Sequence, residues 1–211
     1  MTCIIFCGGR ITDYEYVKKY TGGASLVIAA DSGARHCSEL KLKPGILLGD
    51  FDSISKSDWD KFNVNGTEII RYPSEKDMTD SELAVEIALE RGCTKVILLG
   101  AVGSRLDHTL SNVFLLKKLS DSNCEGLIAD EKNEIRLVRD SIKLKREEGV
   151  FVTLLPLAGN AVGVSTEGLR YPLRDAVLET GSSWGVSNEF SEDTALVTVK
   201  EGYLLVMLSR D

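Results

Sequence analysis

The chain is short of several things, and each shortage excludes a class of function. It has no long hydrophobic run: no stretch of its 211 residues approaches the ~18 apolar residues of a membrane span. Its opening, MTCIIFCGGRITD, lacks a basic lead and carries only a brief apolar run, so no secretory leader is expected. Positive charge is in deficit, with a formal net charge of −7. General nucleic-acid binding needs a basic face, which such a chain does not offer. A small anionic ligand held through a metal or a local arginine stays open. The five cysteines (Cys3, Cys7, Cys37, Cys93 and Cys124) are odd in number and form no C-x-x-C pair. They are expected as buried free thiols in a reducing compartment, not as disulfides or metal ligands. Neither G-x-G-x-x-G nor G-x-x-x-x-G-K-[ST] occurs, so the dinucleotide and P-loop fingerprints are missing. No internal repeat and no low-complexity linker is present. A soluble cytoplasmic protein with no nucleic-acid or membrane partner is expected.

What is present has a clear texture. Short runs rich in Val, Ile and Leu recur through the first part: CIIFC (3–7), SLVIAA (25–30), GILLGD (45–50), TEIIRYP (67–73), KVILLG (95–100) and EGLIAD (125–130). Helical patterns divide most of them, near DYEYVKKY, DSGARHCSEL, Thr79 and Asp107. Apolar strands separated by helices predict a parallel sheet covered on both faces, a Rossmann-like α/β domain over 1–130. Thr79 and Glu82 have the spacing of a capping box, and Leu83, Ala84, Ile87 and Ala88 then form an apolar face. In the later helix Leu110, Val113 and Phe114 fall on one side. Beyond residue 130 strand-like pieces alternate with Gly, Pro and Asn: EIRLVRD, IKLKRE, VFVTLLPLA, AVGVSTEGLRYPL, ALVTVKEG and YLLVMLSRD. An all-β sandwich or barrel over 131–211 is expected.

The acidic residues of the first part follow its strands. Asp31 follows SLVIAA, Asp50 and Asp52 follow GILLG, and Asp77 and Asp80 follow TEIIRYP; Arg105 and Asp107 follow KVILLG. In an open parallel sheet these are the carboxyl ends, where ligands bind. If residues 50–52 are extended, the two carboxylates point the same way, about 6 Å apart. Their repulsion at an effective dielectric of about 20 is roughly 2–3 kcal/mol, which a turn does not require and a divalent cation would reverse. An all-oxygen set suits Mg²⁺ shared with phosphates. The helix start at Thr79 offers free N–H groups to a phosphate, and Arg105 a fork for two of its oxygens. Plainer readings exist for each: GDFDS as a turn, Arg105 paired with Asp107 on the surface, Asp107 as a cap, His108 as a structural histidine.

Taken in order, ADSGA, LLGDFDS, YPSEKDMTDSELA, LLGAVGSRLDH, TEGLRYPL and GVSNE resemble the thiamin pyrophosphokinase (thiamine diphosphokinase) family over nearly the whole chain. The resemblance implies an α/β domain, a β-sandwich and a homodimer. It implies Mg²⁺-dependent transfer of a pyrophosphoryl group from ATP to the hydroxyl of thiamine, with release of AMP. By matching position, Asp31, Asp50, Asp52 and Asp80 would hold Mg²⁺ and the phosphates. Lys76, Asp77 and Thr79 would line ATP, and Arg105 with Asp107 beside it would meet phosphate. One of Asp52 and Asp80 would take the hydroxyl proton. Tyr171, Ser187 and Asn188 would contact thiamine. Two departures stand out: ADSGAR replaces the family's usual ADGGAN, placing Ser32 and Arg35, and Lys76 stands where relatives often have Gln. The rivals are a pterin-type pyrophosphokinase on the same scaffold and a non-catalytic sensor of magnesium nucleotides.

Overall fold

The structure is a computed structural model and describes residues 1–63 and 66–211. It divides into two units, Met1–Glu131 and Lys132–Asp211. In the first, β1 (Thr2–Phe6), α1 (Tyr14–Thr21), β2 (Leu26–Ala30), a 3-10 turn (Asp31–Gly33), α2 (Ala34–Glu39), β3 (Ile46–Gly49), α3 (Lys56–Asn63), β4 (Glu68–Arg71), α4 (Asp80–Glu90), β5 (Lys95–Leu99), α5 (Leu106–Asp121) and β6 (Glu125–Ala129) follow in sequence. The six strands pair in parallel in the order β4-β3-β2-β1-β5-β6. The chain winds outward from β1 to β4, then returns to add β5 and β6 on the other side. The winding therefore reverses between β1 and β5, and a crevice must open beyond their carboxyl ends.

Both faces of this sheet are covered, as its unbroken apolar strands require. Cys3, Ile4, Ile5 and Phe6 of the central strand are all fully buried. Ile4 and Phe6 share a core with Val17 of α1, Cys37 of α2 and Phe62 of α3. Their neighbours in the strand alternate to the other face, where Ala84, Val85 and Ala88 of α4 are buried. All five cysteines are free and buried. Helix α1 starts on Asp13, whose side chain accepts from Tyr16 N at 2.9 Å. Helix α4 starts on Thr79, whose hydroxyl accepts from Glu82 N at 3.2 Å. Only half of the expected capping box forms: the Glu82 carboxylate instead receives Lys118 Nζ of α5 at 2.8 Å, together with Glu86. Helix-to-helix charge pairing has displaced the local return bond.

One further expectation is corrected, and one helix was not expected. Val113 of α5 is buried, but Leu110 and Phe114 are 58% and 56% exposed. Helix α3 over KSDWDKFN had no signal strong enough to be expected; it is held by Phe62 in the core and by Ser55 Oγ, which accepts from Asp58 N at 3.0 Å.

The second unit is antiparallel. Strands β7 (Asn133–Val138), β8 (Ser141–Lys145), β9 (Phe151–Glu167), β10 (Ala176–Leu178), β11 (Asn188–Glu189), β12 (Thr194–Thr198) and β13 (Glu201–Ser209) pack around one core that includes Val152, Val164, Leu178, Val197 and Val206. VFVTLLPLA and AVGVSTE are not separate strands but the single β9, bent at Ala158 and Gly159, both at positive φ (59° and 129°). Its first half pairs with β13 and its last residues with β12, so one strand serves both layers. The segment GLRYPL that follows is a loop at the mouth of this unit, not a strand.

Candidate active site

The acidic residues gather at the carboxyl edge of the parallel sheet. Asp31 leaves β2 at φ 47° and Phe51, between Asp50 and Asp52, sits at φ 69°. Left-handed backbone at two non-glycine residues stores strain, which persists only where the surroundings fix it. Phe51 is fixed by Trp59, with ring centroids 4.9 Å apart, and by Arg71 at 5.3 Å over its ring. The GDFDS segment is therefore not extended, and the parallel pair of carboxylates expected from an i, i+2 spacing does not form. The chain turns back instead, and Asp52 N donates to Asp50 Oδ1 at 3.0 Å. This bond, foremost among several, holds the Asp50 carboxyl below its ordinary range. Asp52 is exposed and accepts from Ser74 Oγ at 3.3 Å.

Burial raises the pKa of Asp31, and repulsion from Asp80 and Asp50 raises it further, against a backbone N–H at Ser32 and the hydroxyl of Ser53. These three carboxylates thus lie within electrostatic reach of one another. Oδ1 of Asp31 and Oδ1 of Asp80 are buried without a hydrogen-bond donor. Lys76 Nζ lies 3.2 Å from the latter as an ion pair, off the direction of a hydrogen bond, and donates to Pro73 O at 3.3 Å. Among the described residues no three carboxylate, histidine or cysteine side chains converge tightly enough to enclose a metal ion on their own. Orphaned buried carboxylate oxygens at a repelling cluster nevertheless fit an ion that completes its shell with water and phosphate oxygens, as Mg²⁺ does. Asp77 is exposed in the loop before α4, and Thr79 is occupied as that helix's cap.

Beside this cluster, the reversal between β1 and β5 opens a cleft of about 620 Å³. Its floor is made of serines that each follow an aspartate: Ser32, Ser53 and Ser81. One wall is the Gly8-Gly9 turn after β1; the other is the loop 100–105 after β5. Glycine is required in both. A Cβ at Gly9 would stand 2.3 Å from Gly100 O, and one at Gly100 would stand 2.7 Å from Cys7 O. The 100–105 loop is tied down from α5: Asn112 Nδ2 donates to Ala101 O at 2.8 Å, and Thr109 Oγ1 accepts from Gly103 N at 3.1 Å. Arg105 lines the cleft but also grips Asp107, Nη2 to Oδ2 at 2.5 Å and Nε to Oδ1 at 3.2 Å. That grip lowers the Asp107 pKa to about 2. Asp107 does not cap α5; Arg105 occupies the N-cap position, and no side chain caps it. His108 also lines the cleft. Cys7 lies in it as an inert group, its thiol pushed up to about 11 by burial and accepting from Ser81 Oγ at 3.3 Å.

Under the Gly8-Gly9 turn lies a buried histidine that sequence reasoning passed over. His36 Nε2 donates to Gly9 O at 2.8 Å, and Tyr14 OH lies 2.8 Å from its Nδ1. A carbonyl can only accept, so the proton is on Nε2 and Tyr14 donates to Nδ1. Burial lowers the His36 pKa to about 4.

The second unit carries its own cup, about 440 Å³, rimmed by Tyr171 and Trp184. Both rings are largely exposed, at 57% and 62%. Asn188 lines the cup but spends its amide on the backbone: Oδ1 accepts from Tyr171 N at 3.0 Å and Glu189 N at 2.9 Å, and Nδ2 donates to Tyr171 O at 2.7 Å. It is the clasp that shapes the cup. Ser187 stands beside it at φ 58°, with its N–H on Thr153 Oγ1 at 3.0 Å. Trp184 had no role assigned from sequence. Gly185 is what brings it there: a Cβ at that position would stand 2.2 Å from Leu154 O, so only glycine lets the SSWG loop lie flat on β9.

Comparison with known proteins matches each of the two units. Residues 17–128 match the family model described as thiamin pyrophosphokinase, catalytic domain, and residues 139–204 match thiamin pyrophosphokinase, vitamin B1 binding domain. The chain is 27% identical to a thiamine pyrophosphokinase of Bacillus subtilis, over 100% of this chain and 99% of that one. A crystal structure of thiamine pyrophosphokinase from Bacillus subtilis superposes with a TM-score of 0.92 at 25% identity, covering 100% of both chains. One of thiamin pyrophosphokinase from Geobacillus thermodenitrificans gives 0.86 at 28%, covering 100% of this chain and 98% of the other. Neither match supports the pterin-type rival. With both of its units matched in order, the chain belongs to the thiamin pyrophosphokinase family.

Proposed function

We propose that this chain catalyses the reaction of its family, transfer of a pyrophosphoryl group from ATP to the hydroxyl of thiamine, releasing AMP. The observation that carries the reading is the pairing of an aspartate cluster with a glycine-walled cleft at the sheet's reversal, in a chain matched by both family models. ATP would lie in the cleft, with its phosphates toward Asp31, Asp50 and Asp80. Mg²⁺ would be held by Asp31, Asp50, Asp52 and Asp80, and supplies charge neutralisation at the β- and γ-phosphates when bound. Lys76 and Arg105 add cationic donors at two edges, and the N-terminus of α4 adds backbone N–H groups. Asp77 and Thr79 belong to the loop that shapes this end. The thiamine hydroxyl attacks the β-phosphorus, its proton passes to Asp52, and AMP leaves with the bridging oxygen. Asp52 is the better base of the two considered because it is exposed and Asp80 is already paired with Lys76.

Thiamine would seat its rings against Tyr171 and Trp184, a cation on aromatic faces, with Ser187 at the rim and Asn188 holding the cup in shape. A homodimer and a cytoplasmic location belong to the same reading; no helix among the described residues is long and apolar enough to cross a membrane. The test is to incubate the protein with ATP and Mg²⁺, with and without thiamine, and follow AMP. Thiamine-dependent AMP with matching thiamine diphosphate is expected. Nucleotide binding without AMP would make the protein a sensor.

A further inference from the structure

The cleft contains three arginines, and their charges are not equally available. Arg105, after β5, is held bidentate by Asp107. Arg10, after β1, and Arg35, in α2, also line the cleft, and neither has a carboxylate partner among the described residues. Arg35 Nη2 donates to Gly8 O at 2.6 Å and to Gly9 O at 2.8 Å. Both carbonyls belong to the turn that walls the cleft, and their negative ends would otherwise meet an incoming anion. The guanidinium covers them, and its exposed remainder keeps its positive charge and its other donors. Two unpaired guanidinium groups in one concavity are notable in a chain of net charge −7, where a free arginine can readily find an acidic partner. A cleft arranged this way selects a polyanion.

Resting on the reading above, we infer that Arg10 and Arg35 are phosphate-binding residues that hold the polyphosphate of the nucleotide, with Arg35 also fixing the Gly8-Gly9 turn against which it lies. These two side chains then add to the discrimination between a nucleoside triphosphate and the bare nucleoside that the Asp cluster, Lys76 and Arg105 begin.

The test is calorimetric binding of ATP with Mg²⁺, and separately of adenosine, to the wild-type protein and to Arg10→Met, Arg35→Met and Arg35→Lys. Among the described residues Arg10 makes no side-chain hydrogen bond or ion pair, so its variant chiefly reports the loss of its charge. ATP affinity is expected to fall about tenfold or more in each Met variant, the worth of one charge-assisted contact. Adenosine affinity is expected to stay within about twofold. Arg35→Lys should recover only part of the loss, since a compact ammonium keeps the charge but lacks the planar fork that spans both carbonyls and still presents further donors to a phosphate. ATP binding within twofold of wild type in both Met variants would overturn the inference. So would equal losses of ATP and adenosine in Arg35→Met beside an unchanged Arg10→Met, which would leave Arg35 only a brace for the turn. Wild-type protein that binds ATP yet forms no AMP with thiamine would overturn the proposed reaction, while the binding data would still decide the arginines.

Discussion

A Cβ placed on Gly49 would stand 3.0 Å from Cβ of Asp31 and 3.2 Å from its Cα. Gly49 ends β3 at φ 142°, and that lets its backbone press against Asp31, the acidic residue just after the neighbouring strand β2. Gly49→Ala should displace Asp31 from the cluster and strain the turn into Asp50. A stability loss of about 1–3 kcal/mol is expected, with a larger proportional fall in turnover than in thiamine binding. Urea unfolding and steady-state kinetics on the same preparation would show it; unchanged turnover would mean that the position of Asp31 is not critical.

Asp80 and Asp31 repel; the buried Oδ1 of Asp31 has no donor, and that of Asp80 has only the Lys76 ammonium as an ion pair at 3.2 Å. Asp80→Asn should therefore leave stability unchanged or raised while turnover falls by roughly a hundredfold or more. The same change removes one of the influences that raise the Asp31 pKa, which should move down toward 3.8 in a carboxyl NMR titration. Asp50→Asn should lose turnover likewise, while its amide oxygen can still accept from Asp52 N and keep the tight turn. A folded Asp80→Asn with near wild-type turnover would sink the role given to the cluster.

His36 titrates at about 4 in the folded chain, against 6.5 when unperturbed. The unfolded state then binds more protons than the native state between these values, so stability rises with pH across that window. The contribution is about 3 kcal/mol, lost as pH falls from 6.5 to 4. His36→Gln keeps an N–H for Gly9 O and cannot titrate. Its urea-derived stability should fall less than wild type over the same window, and identical slopes would show that His36 charges without penalty.

Trp184 and Asn188 should fail differently. Trp184→Ala removes an exposed ring and should leave the melting temperature nearly unchanged while raising the KM for thiamine about tenfold. Asn188→Ala strips two hydrogen bonds from the backbone of Tyr171 and one from that of Glu189. It should lower stability by about 2–3 kcal/mol and raise the thiamine KM through a disordered cup. Ser187→Ala should act on thiamine alone and weakly. An effect of any of these confined to ATP would move thiamine out of the cup.

The regular parts of the molecule were legible because burial on both faces leaves an unmistakable record: CIIFC became β1 and KVILLG became β5. The clustering of Asp31, Asp50 and Asp80 could be anticipated from their places after strands. The turn at Phe51 could not, because a left-handed phenylalanine leaves no compositional mark, and nothing in the sequence pattern brings Trp59 and Arg71, which hold it, against its ring. Strand order was equally silent, and with it the cleft that joins Gly9 to Gly100. Leu110 and Phe114 obey the helical period but are exposed, which shows that periodicity identifies a stripe and not what covers it. Trp184 became meaningful only once Gly185 was seen lying against Leu154.

Strand β9 runs through seventeen residues and lends its edges to β13, β12, β10 and β11. A layer that shares its spine with its opposite cannot peel away by itself, so the second unit should open all at once or not at all. Because the floor of the aromatic cup rests on Leu154 of that spine, a molecule settling there would slow amide exchange from Phe151 to Glu167 and not merely beneath its own footprint.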